Sequence, residues 1–189
     1  MSKKTQKIII GLVGEIASGK DTVAAYLEKK YGAGIISFSQ PLRDILDRLF
    51  LPYTRNNMAN LGISLRGAFG QDLLSRVIAD EVKAGKKKII VLPNVRLESD
   101  LVYLRREPGF VLVSIETDIK KRFERLKKRG QNADDRTKTW AEFLKDHRLS
   151  TEIQIKQLAA KARYQLDNNG SRPALNKQID VLIKQILES

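Results

Sequence analysis

Ile8-Ile9-Ile10-Gly11-Leu12-Val13-Gly14-Glu15-Ile16-Ala17-Ser18-Gly19-Lys20-Asp21-Thr22 begins as an apolar run and breaks into a glycine-spaced loop that ends in Gly-Lys. The run predicts a buried strand, and the loop follows the phosphate-binding spacing from Gly14 to Gly19-Lys20. Gly14 and Gly19 let the backbone approach an anion closely. The backbone N–H groups between them form a concave cradle for phosphate oxygens, and the helix that begins near Lys20 adds its unsatisfied amides and the positive end of its dipole. Lys20 carries an ammonium toward the outer phosphates. The expected nucleotide contacts are therefore Gly14, Glu15, Ile16, Ala17, Ser18, Gly19, Lys20, Asp21 and Thr22.

Asp21 departs from the motif, which asks for a Ser or Thr hydroxyl on Mg²⁺ at that place. A carboxylate is a competent hard ligand for Mg²⁺. Equally, an acid in the first turn favours the helix N-terminus electrostatically. Both roles stand open to it, and Thr22 follows one residue later.

A chain of 189 residues, 42% hydrophobic and 30% charged, has enough apolar material for a single domain with a full core, expected over 1–189. No stretch is long and apolar enough to span a bilayer, and the first residues lead into a strand rather than a signal-like apolar region, so a cytoplasmic protein is expected. The absence of cysteine excludes disulfides, thiolate metal sites and cysteine nucleophiles. Thirty-five Lys and Arg against 22 Asp and Glu give a formal net charge of +13, a field that attracts nucleotides, coenzymes and nucleic acids alike.

Short apolar runs alternate with segments of helical period, the pattern of a doubly wound α/β fold. Strands are predicted over Lys7–Val13, Gly34–Phe38, Lys88–Leu92, Phe110–Ile115 and Arg163–Leu166. Helices are predicted over Thr22–Lys30, Pro41–Phe50, Leu65–Lys83, Glu98–Arg106, Asp118–Arg129, Trp140–Ala162 with a break, and Ala174–Leu187. Neither an internal repeat nor a low-complexity linker is present.

Three stretches together resemble the P-loop kinases of small phosphorylated metabolites, which include nucleoside and deoxynucleoside monophosphate kinases and dephospho-CoA kinase. They are Gly14 to Thr22, Ser37-Phe38-Ser39-Gln40-Pro41-Leu42-Arg43, and Arg122-Phe123-Glu124-Arg125-Leu126-Lys127-Lys128-Arg129-Gly130. The Gly-Lys-Asp-Thr ending looks most like deoxynucleoside monophosphate kinases. The resemblance implies a five-stranded parallel sheet of order 2-3-1-4-5 with phosphates at the carboxyl edge of the strands, where ligands of open α/β sheets bind. It also implies a helical lid, ATP and Mg²⁺ as cofactors, and a small phosphorylated acceptor.

Phosphoryl transfer is achieved mostly by positioning and charge neutralisation, so several cations must surround the two substrates. Arginine suits this because its planar fork grips phosphate oxygens in pairs. The resemblance implies acceptor contacts for Ser39, Arg43, Arg66 and Arg96. A lid is expected near 122–138, where Arg122, Arg125, Arg129 and Arg136 are candidate cations; similarity to the family's lid favours Arg122, Arg129 and Arg136, which join Lys20 as catalytic cations, and a solvated face is the stronger reading of Arg125. The family's third strand usually ends in a magnesium-organising Asp, whereas this chain has Val91-Leu92-Pro93-Asn94-Val95-Arg96. Either Asp21 compensates, or nucleotide binding comes with weak catalysis.

His147 lies in a charged helical stretch with no partner evident in sequence, and reads as a surface residue. Trp140, Phe143 and Leu144 read as packing under the lid, and Glu98, Asp100 and Glu116 have no spacing that marks a general base. Three functions follow. The chain is a nucleoside or deoxynucleoside monophosphate kinase, a dephospho-CoA kinase-like enzyme that needs a base, or a nucleotide-gated protein that uses its positive field on RNA or an acidic partner; the first is favoured.

Overall fold

The computed structural model describes residues 7–129, 136–147 and 150–188. Five parallel strands form one sheet of order β2-β3-β1-β4-β5: β1 (Ile8–Val13), β2 (Gly34–Ile35), β3 (Ile89–Leu92), β4 (Phe110–Glu116) and β5 (Tyr164–Asp167). β1 is central, with Ile9 beside Ile90 on one side and beside Phe110 on the other. A strand buried on both faces needs an apolar residue at every position, which is why β1 reads as an unbroken apolar run.

Alternate β1 side chains feed two cores. Ile8, Ile10 and Leu12 pack with Val23 and Leu27 of α1 (Lys20–Tyr31) and with Leu175, Ile179 and Leu182 of α8 (Arg172–Glu188). Ile9 and Val13 pack on the other face with Leu42 of α2 (Gln40–Arg48), Ile78 of α4 (Leu73–Ala84) and Ile155 of α7 (Ser150–Ala159). Between α2 and α4 lies α3 (Arg55–Phe69), and α5 (Ile119–Arg129) precedes α6 (Trp140–Asp146). Among the described residues no helix is long and apolar enough to cross a membrane.

The helix expected over 65–83 is two helices. Gly70 adopts a φ of 101° and ends α3, and α3 itself starts ten residues early, where Thr54 Oγ1 accepts the Asn57 N–H as an N-cap. The strand expected over 34–38 is in register with β3 only at Gly34 and Ile35; the Ile36 N–H makes a last bond to the Val91 carbonyl, and the chain then turns into α2, where the Gln40 N–H bonds to the Ser37 carbonyl. Residues 98–106 wind as two short 3₁₀ turns rather than one helix. The break expected in 140–162 falls between α6 and α7. Gly130 and the polar stretch 131–135, expected to form the lid's turn, lie outside the described residues, as does the side chain of Arg129.

Candidate active site

The carboxyl ends of the strands converge on one cleft of about 1600 Å³. β1 delivers the loop from Gly14 to Gly19 and β3 delivers Asn94 and Arg96. β5 delivers Asn168, and the turn before α2 delivers Ser39. The loop is closely backed. Ser18 Oγ is buried without a hydrogen-bond partner, and a Cβ at Gly14 would stand 2.7 Å from both that oxygen and the Ile115 carbonyl. Gly19 has φ 101°, and a Cβ there would run into the amide of Asn168. That amide donates to the Ser18 carbonyl at 2.8 Å, and Thr117 Oγ1 donates to the same oxygen at 2.9 Å. Ala17 also takes a positive φ of 59°. A left-handed, glycine-bounded turn at the head of a helix is a nest of backbone N–H groups suited to phosphate.

Lys20 Nζ donates to the carbonyls of Gly14 at 2.6 Å and Glu15 at 3.0 Å, which holds the ammonium over the loop. Asp21 and Thr22 line the cleft, and Asn94 faces it from the end of β3. Among the described residues no three His, Cys, Asp or Glu side chains gather closely enough to cage a metal. The donor set that is present, a carboxylate, a hydroxyl and an amide oxygen, fits Mg²⁺, which keeps most of its ligands as water and phosphate.

The residues expected at the acceptor line the same cleft. Ser39 and Arg43 come from the head of α2, Arg66 from α3 and Arg96 from the turn after β3. Arg43 sits over the ring of Tyr53, 5.8 Å from its centroid. Phe38, Leu42, Met58 and Leu74 supply an apolar floor.

Asp100 also faces this floor and has a clear role. Its carboxylate is 4% exposed, accepts the backbone N–H groups of Arg96 and Leu97 at 3.0 and 2.9 Å, and stands 3.7 Å from the Arg66 guanidinium. Burial pushes its pKa up, countered by the two amides and then by Arg66. One side chain thus fixes the turn that carries Arg96 and the direction of Arg66. Asp100→Asn keeps the shape and loses the charge. Its expected effect is an acceptor KM about tenfold higher, with Mg-ATP affinity within about twofold of wild type, read by steady-state kinetics and by titration with nucleotide. An acid three residues beyond Leu97 is the signal in sequence for such a turn.

Arg122 is not at the cleft. Only 3% exposed, it donates from Nε to the Thr117 carbonyl at 3.1 Å and from one amino nitrogen to the Ile16 carbonyl at 3.4 Å, and it pairs with Glu15 Oε2 at 3.0 Å. Burial pulls its pKa down and Glu15 opposes the shift. The catalytic role expected of Arg122 therefore gives way to a structural one: its donors are committed to the back of the loop, and removing one member of a buried pair costs about 3–5 kcal/mol. Arg125, expected on a solvated face, lines the cleft with Lys128, and one of its amino groups donates to the Asn168 carbonyl at 2.9 Å. The two arginines lie one above the other on the same side of α5, Arg122 bracing the loop from behind and Arg125, nearer the helix end, reaching the cleft.

Arg136 is exposed and does not line the cleft. His147 is not a surface residue. It is 9% exposed, its ring packs on Phe143 at 4.6 Å between centroids, and its Nε2 faces Glu15 at 3.5 Å. Phe143 is fully buried against Phe123, whereas Trp140 and Leu144 remain partly exposed.

No family model matches the chain. A UPF0200 protein of Thermococcus kodakarensis is 29% identical over 185 residues, 95% of this chain and 98% of that one. A UPF0200 protein of Methanoregula boonei is 30% identical over 127 residues, 67% of this chain and 69% of that one. The chain belongs to the UPF0200 family. Among solved structures, shikimate kinase from Bacteroides thetaiotaomicron superposes with a TM-score of 0.62 at 16% identity, over 96% of this chain and 99% of its own. A gluconokinase from Sinorhizobium meliloti gives 0.61 at 14% identity, over 98% and 96%. This UPF0200 chain therefore has the P-loop kinase fold, and its sheet order is the one the resemblance implied.

Proposed function

We propose that this chain is an ATP-dependent phosphotransferase whose acceptor is a small phosphorylated metabolite, with a nucleoside or deoxynucleoside monophosphate as the leading class. The observation that carries the reading is the two-sided cleft: a glycine-bounded loop with Lys20 on one side, and Ser39, Arg43, Arg66 and Arg96 around an apolar floor on the other. Bound ATP with Mg²⁺ supplies a transferable phosphoryl group and neutralises part of its charge. The chain's own residues do the rest. Amides of the loop and Lys20 hold the donor's phosphates, and Asp21, Thr22 and Asn94 offer oxygens to the metal. Arg43, Arg66 and Arg96 grip the acceptor's phosphate, while Arg125 and Lys128 add charge from α5. Arg129 and Arg136 remain proposed lid cations. An acceptor phosphate is already anionic, so this reaction requires no general base.

The dephospho-CoA-like reading does require one, because a hydroxyl must lose its proton. A carboxylate of that disposition exists: Glu152 on α7 lines the cleft, and its Oε2 is buried without a hydrogen-bond partner. Release of ADP from ATP, measured across AMP, CMP, UMP, GMP, their deoxy forms and dephospho-CoA, separates the two. Turnover only with dephospho-CoA moves the assignment to Glu152 chemistry. No turnover with any acceptor, together with tight salt-dependent RNA binding, replaces both with a nucleotide-gated binding protein.

Arg43→Ala tests the acceptor side directly. Losing a charged hydrogen-bonding partner should raise the acceptor KM roughly ten- to a hundredfold while Mg-ATP affinity stays nearly unchanged. Equal weakening of both substrates would remove Arg43 from the acceptor subsite.

A further inference from the structure

The buried contact between Glu15 and His147 takes no part in the proposed reaction, yet it ties the phosphate loop to the end of α6. Glu15 is the second residue of the loop, and its backbone carbonyl accepts from Lys20 Nζ. Its side chain points away from the cleft and is divided between two sets of partners. Oε2 pairs with Arg122 at 3.0 Å. Oε1 is buried and accepts no hydrogen bond, with His147 Nε2 at 3.5 Å and Lys156 Nζ at 3.6 Å. His147 Nε2 is likewise buried and without a hydrogen-bond partner. Two polar atoms without hydrogen bonds therefore face one another inside the protein.

The chemistry of the ring accounts for this. His147 Nδ1 is 2.8 Å from the Phe143 carbonyl. A carbonyl oxygen only accepts, so Nδ1 carries a hydrogen and donates it. In a neutral imidazole Nε2 is then a lone pair aimed at a carboxylate oxygen, and no hydrogen lies between them. A proton on Nε2 turns the same contact into a charge-assisted N–H⁺···O⁻ pair. The surrounding charges are Arg122 and Asp118 at the start of α5, Lys156 and Glu152 on α7, and Asp146, which is paired with Lys138 at 2.6 Å. Arg122 holds the other Glu15 oxygen, and Lys156 is more than half exposed at its longer distance. His147 is thus the buried group that can clamp Oε1.

We propose that His147 and Glu15 are positioning residues for the phosphate-binding loop: a proton at His147 Nε2 clamps the Glu15 side chain and, through it, the backbone that carries Lys20. Nucleotide affinity then rises when that nitrogen takes up its proton. This rests on the nucleotide-binding reading of the loop.

The test is calorimetric titration of the full chain with ADP and Mg²⁺ from about pH 8 to about pH 6 at constant ionic strength. Wild type is compared with His147→Gln, Glu15→Gln and the double variant. Protonation of the nucleotide's own phosphate is common to all four, so the readout is the difference in pH slope. Wild-type affinity should gain about three- to tenfold more over that range than either single variant gains, and the double variant should match the singles. Thermal melts without nucleotide accompany the titrations. If Glu15→Gln melts too low to titrate, His147→Gln against wild type decides alone. A slope shared by wild type and His147→Gln, or a loss in that variant that is uniform across pH, overturns the proposal and leaves the nucleotide-binding reading standing. No heat with Mg-ADP in wild type at any pH removes both.

Discussion

Lys20→Ala is expected to abolish nucleotide-dependent stabilisation and to lower phosphotransfer by roughly 10²–10³-fold, the scale seen when one preorganised charge-stabilising donor is deleted. The ammonium of Lys20 hydrogen-bonds to the Gly14 and Glu15 carbonyls at 2.6 and 3.0 Å, so it already sits over the concave face of the loop. Phosphate oxygens compete well for it, because an anionic acceptor attracts the ammonium by full charge–charge interaction, which a neutral carbonyl lacks. Alanine leaves the backbone nest in place and takes away the cation. The loss should therefore appear mainly in affinity and rate, with the fold intact. A melt of wild type with excess Mg-ATP should shift upward by the binding linkage, and the variant's melt should not move. A variant that keeps the wild-type shift would dissociate Lys20 from the phosphates and leave the loop without its proposed function.

Why Lys20 could be read from the chain while His147 could not is a matter of distance along the backbone. The strand, the loop and the start of α1 are contiguous, and every constraint on them is local: burial of β1 on both faces demands apolar residues, the turn demands glycines, and the helix start supplies amides. Order in the sheet came from resemblance, since nothing in the residues themselves says that β3 lies between β2 and β1. Contacts made across the fold left weaker traces. Asn168 reads as part of a polar turn, and only the folded chain sets its amide against the Ser18 carbonyl, 150 residues away. His147 looks solvated because its neighbours in sequence are charged, but the α6 turn rolls its ring onto Phe143 and under Glu15. Arg122 and Arg125 share a basic helix and differ by less than one turn, yet one lies behind the loop and the other at the cleft. Gly70 was the missed local signal: its left-handed backbone splits what hydrophobic period alone would join.

Gly14→Ala should damage the loop strongly, and the reason is the close backing of the loop rather than conformational preference. A Cβ at Gly14 would lie 2.7 Å from the Ile115 carbonyl and 2.7 Å from Ser18 Oγ. Neither neighbour yields easily. Ile115 belongs to β4, paired with β5 at Leu166 and one residue past the last β1 partner. Ser18 is 1% exposed, with its carbonyl held by Thr117 and Asn168. The loop must therefore lift away from the sheet. Forcing a methyl into a packed site costs about 1–3 kcal/mol, which for a chain of this size lowers Tm by about 2–12 °C. The displaced amides should also bind Mg-ATP at least about tenfold less tightly, since the nest works only when its N–H groups converge. Gly67→Ala supplies the contrast. That glycine lies within α3 with nothing within 4 Å of an added methyl, so the same extra atom should raise stability by about 0.5–1 kcal/mol through helix propensity and leave nucleotide affinity alone. Measured side by side by thermal melting and calorimetry, opposite signs at the two sites would tie the loss at Gly14 to the backing of the loop. Equal, small effects at both would mean that the loop is free to move from β4 and that its close support is not what holds the amides in place.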